Sequence, residues 1–210
     1  KYVSRALETM NAMQEVDLPL LVHGEVTDPE CHVFDREAVF IERTLAPLVA
    51  RLPSLRVVLE HVTTRTAVDF VKASSQRVAA SVTPHHLLLS RNALFEGGLR
   101  PHHYCLPVLK REEDRQALLA AVCSGHPRFF AGTDSAPHPR ADKECARGCA
   151  GIYSAHAAVE LYAEAFDRAG ALGRLEAFLA FHGADFHRLP RSPERIVLRR
   201  EPWRVPEVYR

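Results

Sequence analysis

Short runs of apolar residues alternate with segments of helical period along most of this chain. Four apolar runs, at residues 18–23, 56–60, 78–82 and 129–131, predict buried strands. Apolar residues spaced three or four apart predict helices over residues 2–14, 37–52, 64–74, 111–124, 154–169 and 175–181. Asp35 is a candidate cap for the second helix, which Pro47 should kink or interrupt. Two polar stretches, 91–107 and 134–151, predict long loops, and such loops are usually functional.

The order of these elements predicts the fold class. A strand followed by a helix, repeated four times, is typical of a parallel α/β sheet with helical crossovers. Polar residues at the strand ends favour a barrel enzyme, whose active face lies at the carboxyl ends of its strands. Because a complete eight-stranded barrel takes about 250 residues, four units predict half a barrel. The irregular tail contains one candidate strand, residues 195–198.

Composition narrows the class of protein. The 210 residues are 47% hydrophobic and 25% charged, with a net charge of +1, as in a globular protein without a nucleic-acid-binding surface. No apolar stretch approaches the roughly 18 residues of a membrane span. The five cysteines are odd in number and scattered, which favours a reducing compartment and predicts a cytoplasmic protein.

Three of the predicted strands end on, or are soon followed by, a residue that can bind metal: His23, His61 and Asp134. If these strands are neighbours in one sheet, two imidazoles and a carboxylate meet at its edge and can hold a divalent ion such as zinc, which activates water. A lone histidine there is more often hydrogen-bonded to backbone, and an aspartate after Gly-Thr often caps a helix or turn. Recurrence at the same point of successive units favours a metal site without deciding it.

Several longer motifs resemble one known family: LPLLVHGEVT, FDREAVFIE, LEHVTT, TPHHLLLSRN, GGLRPHHYCLPVLK, GTDSAPHPRADKE and GCAG. In order, they resemble the homodimeric bacterial type of dihydroorotase, of the amidohydrolase superfamily. The resemblance implies the C-terminal half of a (β/α)8 TIM-type metal-dependent barrel. It also implies reversible, zinc-dependent cyclisation of N-carbamoyl-L-aspartate to L-dihydroorotate in pyrimidine biosynthesis, and a homodimeric full-length parent without nucleic-acid or membrane partners.

The same resemblance implies roles for individual residues. His23 and His61 match ligands of one of two zinc ions. Asp134 matches a ligand of the other ion and the catalytic general acid/base. Contacts to the substrate are implied for Leu106, His138 and Ala150.

The chain also departs from the family pattern. An H-x-H pair and a carboxylated lysine that bridges the two metals belong to the front half of the family's barrel, and this sequence contains neither. We therefore expect residues 1–210 to be a single domain truncated at its N-terminus, with little or no turnover alone. The alternatives are a non-catalytic zinc-binding or assembly fragment of the same fold, and another cyclic amidohydrolase of the hydantoinase or allantoinase type, which lacks the combination of GTDSAPH and YCLP.

Other polar residues lie beside these positions. His85 and His86 follow the third strand, and we interpret His86 as a structural, hydrogen-bonded histidine. Glu25 and Glu60 are candidates to orient the two histidine ligands, since metal-bound imidazoles usually hydrogen-bond outward. Glu60 is the weaker candidate, because neighbouring residues of a strand face opposite sides.

Overall fold

A computed structural model describes residues 6–209 and contains one parallel sheet in this range. Its four strands lie in chain order: β1 (Leu20–His23), β2 (Val57–Glu60), β3 (Val78–Val82) and β4 (Phe129–Ala131). Each strand falls within the run that predicted it. The prediction of parallel βα units is therefore confirmed, and β1 and β4 are the two edges of the sheet.

Helices connect the strands on one side of the sheet. Their bounds are α1 (Leu7–Glu15), α2 (Arg36–Phe40), α3 (Ala46–Arg51), α4 (Arg65–Ala73), α5 (Pro84–Leu88), α6 (Glu112–Cys123), α7 (Arg140–Lys143), α8 (Ala158–Arg168) and α9 (His182–His187). The helix predicted over residues 2–14 lies partly outside the described residues, and its described part is α1. The two predicted loops hold only short helical segments: two 3₁₀ turns, Arg91–Leu94 and Pro101–His103, and helix α7.

Pro47 does not break the second predicted helix. A π-helical segment, Ile41–Leu45, joins α2 to α3, and Pro47 lies in the first turn of α3. The missing N–H of a proline costs little where the hydrogen-bond register changes. Asp35 stands at the start of α2 but its side chain makes no capping bond. Thr64 does cap α4, since its hydroxyl accepts the N–H of Ala67 at 3.1 Å.

The two faces of the sheet differ in how well they are covered. Alternate strand residues such as Val57, Leu59 and Ala80 pack with the helices in the main hydrophobic core. The opposite face, called here the open face, holds a small cluster of Val58, Ala79 and Phe130 against Phe186. Leu21 lies on the same face of β1 and is 49% exposed. A barrel wall has this asymmetry, with helices packed on its outer face and the other face turned toward the interior of the barrel.

The prediction of a strand at residues 195–198 is wrong. The structure places no strand there, and Ile196 and Val197 are 72% and 83% exposed. Apolar β-branched residues form a strand only when a neighbouring strand pairs with them, and no strand of the described residues pairs with this segment. The tail is instead attached through ion pairs to helical segments, between Arg195 and Glu176 and between Arg200 and Asp167.

No helix among residues 6–209 combines the length and the apolar character needed to cross a membrane.

Candidate active site

His23 and His61 lie side by side at the carboxyl edge of the sheet. Nδ1 of His23 is 3.2 Å from Nε2 of His61, although the residues are 38 positions apart in the chain. His23 ends β1 on the open face, and His61 follows the last residue of the adjacent strand β2. The parallel register of these strands therefore brings two imidazole nitrogens face to face.

Glu25 fixes the tautomer of His23. Its carboxylate accepts from Nε2 of His23 at 2.9 Å, and its side chain is only 7% exposed. Because a carboxylate only accepts, the proton lies on Nε2 and the lone pair on Nδ1 points toward His61. The hydrogen bond to Glu25 also raises the pKa of His23. The expectation that Glu25 orients this histidine agrees with the geometry.

A strained turn presents His61. Its φ is +40°, a left-handed value that non-glycine residues seldom adopt. Ser81 of β3 holds the turn on one side, because its hydroxyl accepts the backbone N–H of His61 at 2.8 Å. Burial lowers the pKa of His61, which favours the neutral imidazole that a metal ion requires.

The other side of that turn is held by Glu37 of α2, a residue that sequence reasoning missed. Its buried carboxylate accepts from the backbone N–H groups of Thr63 and Thr64, at 2.9 and 3.2 Å, and from both threonine hydroxyls. Burial raises the pKa of Glu37, and the charge of Lys110, also buried, opposes that rise. One carboxylate thus anchors the segment that directly follows His61.

Asp134 follows β4 and lies at the same carboxyl end of the sheet. It also has a left-handed backbone, with a φ of +42°, and is exposed. Gly132 permits the approach, since a Cβ there would lie 2.6 Å from the Cβ of Ser81. Ser135, the residue after Asp134, is held in place because its hydroxyl accepts hydrogen bonds from the N–H groups of Ser154 and Ala155. The negative charge of Asp134 acts to raise the pKa of both His23 and His61, so the carboxylate lies near both imidazoles.

Glu60 also lies near these residues. It pairs in register with His23, so both side chains project from the open face. Burial raises the pKa of Glu60, and the charge of Asp134 adds to the rise. His61 itself lies beyond the strand, in a left-handed turn, so the alternation rule on which the weaker candidacy of Glu60 rests applies to β2 alone.

The candidate substrate contacts lie in the two long loops. Nε2 of His138 donates to the carbonyl of Ala150 at 2.9 Å, and Leu106 is 37% exposed. Gly151 is required beside them: its φ is +151°, and a Cβ would lie 2.6 Å from the carbonyl oxygen of Ala136. His138 and Ala150 are thus in direct contact, 12 residues apart.

A second group of potential metal ligands is buried behind the site. Donor atoms of His85, His86 and Cys105 lie within 4.8 Å of one another. His86 is already saturated, because Nε2 donates to the carbonyl of Pro107 at 3.0 Å and Nδ1 accepts from the hydroxyl of Thr83 at 2.7 Å. Burial raises the pKa of the Cys105 thiol to about 12, which disfavours the thiolate that metals bind. This geometry agrees with the interpretation of His86 as structural.

His85 should make folding sensitive to mild acid. Its ring nitrogens are buried with no hydrogen-bond partner among the described residues, and burial lowers its pKa to about 4. Because the unfolded chain binds this proton near pH 6.5, stability present above that pH should be lost as the pH falls to 4. The change corresponds to about 3 kcal/mol in the free energy of unfolding.

Urea denaturation at pH 7, 5 and 4, with a chelator present, measures this effect. We expect His85→Gln to reduce the acid-dependent loss of stability, and His32→Gln, at an exposed histidine, to leave it unchanged. Equal pH dependence in the parent and in His85→Gln would contradict the prediction.

The paired histidines also fit a metal ion geometrically. Two nitrogens that bind one tetrahedral zinc ion, each about 2.0–2.1 Å from it, lie about 3.3 Å apart. The separation of 3.2 Å between His23 Nδ1 and His61 Nε2 agrees with that value. A lone pair held toward the site by Glu25, a buried imidazole kept neutral and a nearby carboxylate form the donor set that zinc prefers.

Comparison with known proteins shows what this chain is similar to. A curated dihydroorotase of Nitrosomonas europaea is 65% identical over 205 residues, which are 98% of this chain and 59% of that protein. A crystal structure of dihydroorotase from Saccharomyces cerevisiae, in complex with 5-fluoroorotic acid, matches with a TM-score of 0.81 and 35% identity, covering 89% of this chain and 54% of that one. No protein-family model matches the chain.

Dihydropyrimidinase from Brevibacillus agri matches with a TM-score of 0.70 and 17% identity, over 84% of this chain and 44% of that one, which shows a shared fold alone. The chain spans slightly more than half the length of the dihydroorotases it matches. The predicted resemblance to the C-terminal half of a dihydroorotase, with the fold of an amidohydrolase barrel, is thereby confirmed.

Proposed function

We propose that this chain, which matches dihydroorotases in sequence and in fold, supplies part of the active site of an enzyme that interconverts N-carbamoyl-L-aspartate and L-dihydroorotate. The observation that carries the proposal is the pair of facing imidazole nitrogens of His23 and His61, with Asp134 at the same edge of the sheet. Four βα units supply half of the barrel, and the rest of the active site comes from the front half that relatives possess.

The metal is proposed to be zinc, with two ions in the complete site. His23 and His61 would hold one ion, and Asp134 would hold the other together with groups from the front half. Bound zinc polarises the scissile carbonyl and lowers the pKa of water. Glu25 keeps His23 in the ligating tautomer, and Glu37 with Ser81 keeps the His61 turn in place.

Asp134 is proposed as the general acid/base. In the hydrolytic direction it accepts a proton from the attacking water as the oxygen bonds to the ring carbonyl carbon. It then delivers that proton to the ring nitrogen as the carbon–nitrogen bond breaks, so the carboxylate is regenerated. Its exposed position at the open end of the sheet gives it access to a substrate.

The substrate's carboxylate is assigned to the two loops. Because Nε2–H of His138 is donated to the carbonyl of Ala150, Nδ1 is left to face a ligand. A hydrogen bond from this ring to the substrate's carboxylate is charge-assisted. Backbone groups of Leu106 and Ala150 complete the contact.

The setting of the full-length protein is proposed from the same resemblance. A cytoplasmic homodimer is the form expected of this type of dihydroorotase. The five free cysteines, all within the described residues, agree with a reducing compartment.

A hybrid barrel tests the proposed function. The front part of the Nitrosomonas europaea relative, joined to residues 1–210 of this chain, completes the barrel with a partner 65% identical over the shared part. We expect the purified hybrid to bind two zinc ions and to cyclise N-carbamoyl-L-aspartate, and the chain alone to show little or no turnover. A folded, zinc-loaded hybrid without activity would reject the proposal.

His138→Ala in the hybrid should weaken substrate binding and leave the zinc content unchanged. The imidazole is proposed to contact the substrate's carboxylate rather than the metal, so its loss removes one charge-assisted hydrogen bond. We expect KM to rise by between about tenfold and a hundredfold, since such bonds contribute about 1.5–3 kcal/mol. His32→Ala, at an exposed loop position, is the matched control. Loss of zinc in His138→Ala would refute the assignment.

A further inference from the structure

Lys143 is a buried ammonium group without an acidic partner among residues 6–209. It is 3% exposed, and its Nζ donates to three backbone carbonyls: Tyr104 at 2.9 Å, Cys149 at 2.7 Å and Gly151 at 2.7 Å. An ammonium group carries three protons, so these bonds use its whole donor capacity. Burying a charge is costly unless it is hydrogen-bonded. The three carbonyl groups that accept from Lys143 therefore show which segments this side chain holds in place.

The acceptors come from both long loops. Tyr104 lies two residues before Leu106, in the first loop, whereas Cys149 and Gly151 flank Ala150, in the second. The Tyr104 carbonyl also accepts the N–H of Gly151 at 2.9 Å. The segments that carry two proposed substrate contacts are thus joined at one nitrogen atom.

Lysine suits this position better than arginine would. Its compact ammonium on a flexible stem can donate in three directions to oxygens from separate segments. A guanidinium is planar and donates as a fork, so it cannot reproduce three convergent bonds. Without the ammonium, three carbonyl oxygens that now converge on one point would repel one another and separate.

We propose that Lys143 is a positioning residue that holds segment 104–107 against segment 149–151, so that the backbone groups of Leu106 and Ala150 meet the substrate together. This inference rests on the proposed function for its effect on catalysis, but the linkage between the loops does not. A purely local role is the competing explanation, since two of the three acceptors belong to the loop of Lys143 itself.

Hydrogen–deuterium exchange separates these explanations, in the chain and in the hybrid barrel. In Lys143→Met we expect faster exchange in both segments, 104–107 and 149–151, with strands β2 and β3 unchanged. Faster exchange in the second segment alone, or in neither, would overturn the proposal. Lys72→Met, at an exposed lysine of α4, is the matched control.

Kinetics in the hybrid supply the second measurement. We expect KM to rise by between about tenfold and a hundredfold, because a misplacement of about 1 Å can cost about a hundredfold, and we expect zinc content to be unchanged. A KM within twofold of the parent would overturn the positioning role even if the loops loosen. An inactive parent hybrid would count against the proposed function, and the exchange result would still decide the linkage. If Lys143→Met does not fold, Lys143→Arg keeps the charge and should show the same two changes.

Discussion

Asp134→Asn in the hybrid barrel should lower the turnover number by at least about 10²–10⁴-fold, the range typical of general acid–base groups. Asparagine has nearly the same shape, but it cannot accept a proton from water or return one to the leaving nitrogen. It is also a poorer metal ligand, so the loss should exceed that of proton transfer alone. Steady-state turnover of N-carbamoyl-L-aspartate, together with zinc content by atomic absorption, measures both parts.

Two observations keep this prediction specific to Asp134. Asp69→Asn removes an exposed carboxylate from α4 and should leave the turnover number unchanged. The free energy of unfolding of Asp134→Asn should stay close to that of the parent, because the side chain is exposed. Turnover within tenfold of the parent would show that another group moves the proton.

The strands and the meeting of His23 with His61 follow from local pattern plus one rule of topology. Residues 78–82 and 129–131 form strands as their apolar runs predict, because buried parallel strands have no polar face to obscure the signal. Once these strands are parallel and adjacent, the residues that follow their carboxyl ends must share one edge. The metal-binding and catalytic roles of those residues stay predictions.

What the sequence does not reveal depends on contacts between distant segments. The carboxylate of Glu37 accepts a hydrogen bond from Thr63, 26 residues away, and the ammonium of Lys143 donates one to the carbonyl of Tyr104, 39 residues away. Both lie within motifs that resemble the family, but nothing in those motifs marks either residue as buried. A charged residue is expected at the surface, and only a structure shows that these two are buried with every bond made. The tail shows the opposite failure, since its apolar residues predict a strand that has no neighbour.

Glu37→Ala should produce the largest loss of stability among these substitutions. Two backbone N–H groups and two hydroxyls lose their common acceptor inside the protein, and the charge of Lys110 loses its nearby counter-charge. Breaking a buried network of this kind costs about 3–5 kcal/mol in the free energy of unfolding. Because the same carboxylate anchors the strained turn of His61, zinc affinity should fall as well. Denaturant unfolding of the metal-free protein and zinc titration of the folded fraction measure the two effects separately.

Graded substitutions distinguish anchoring from simple packing. Glu37→Gln keeps the volume and one acceptor oxygen but places an amide group against N–H donors, so its loss should lie between the parent and Glu37→Ala. Glu42→Ala, at an exposed glutamate in the π-helical segment after α2, should change neither stability nor zinc affinity. If Glu37→Gln and Glu37→Ala lose the same stability while zinc affinity is retained, the carboxylate stabilises the core without controlling the turn. Zinc affinity that falls in step with the number of lost acceptors means that the strain at His61 is maintained by Glu37, 24 residues earlier in the chain.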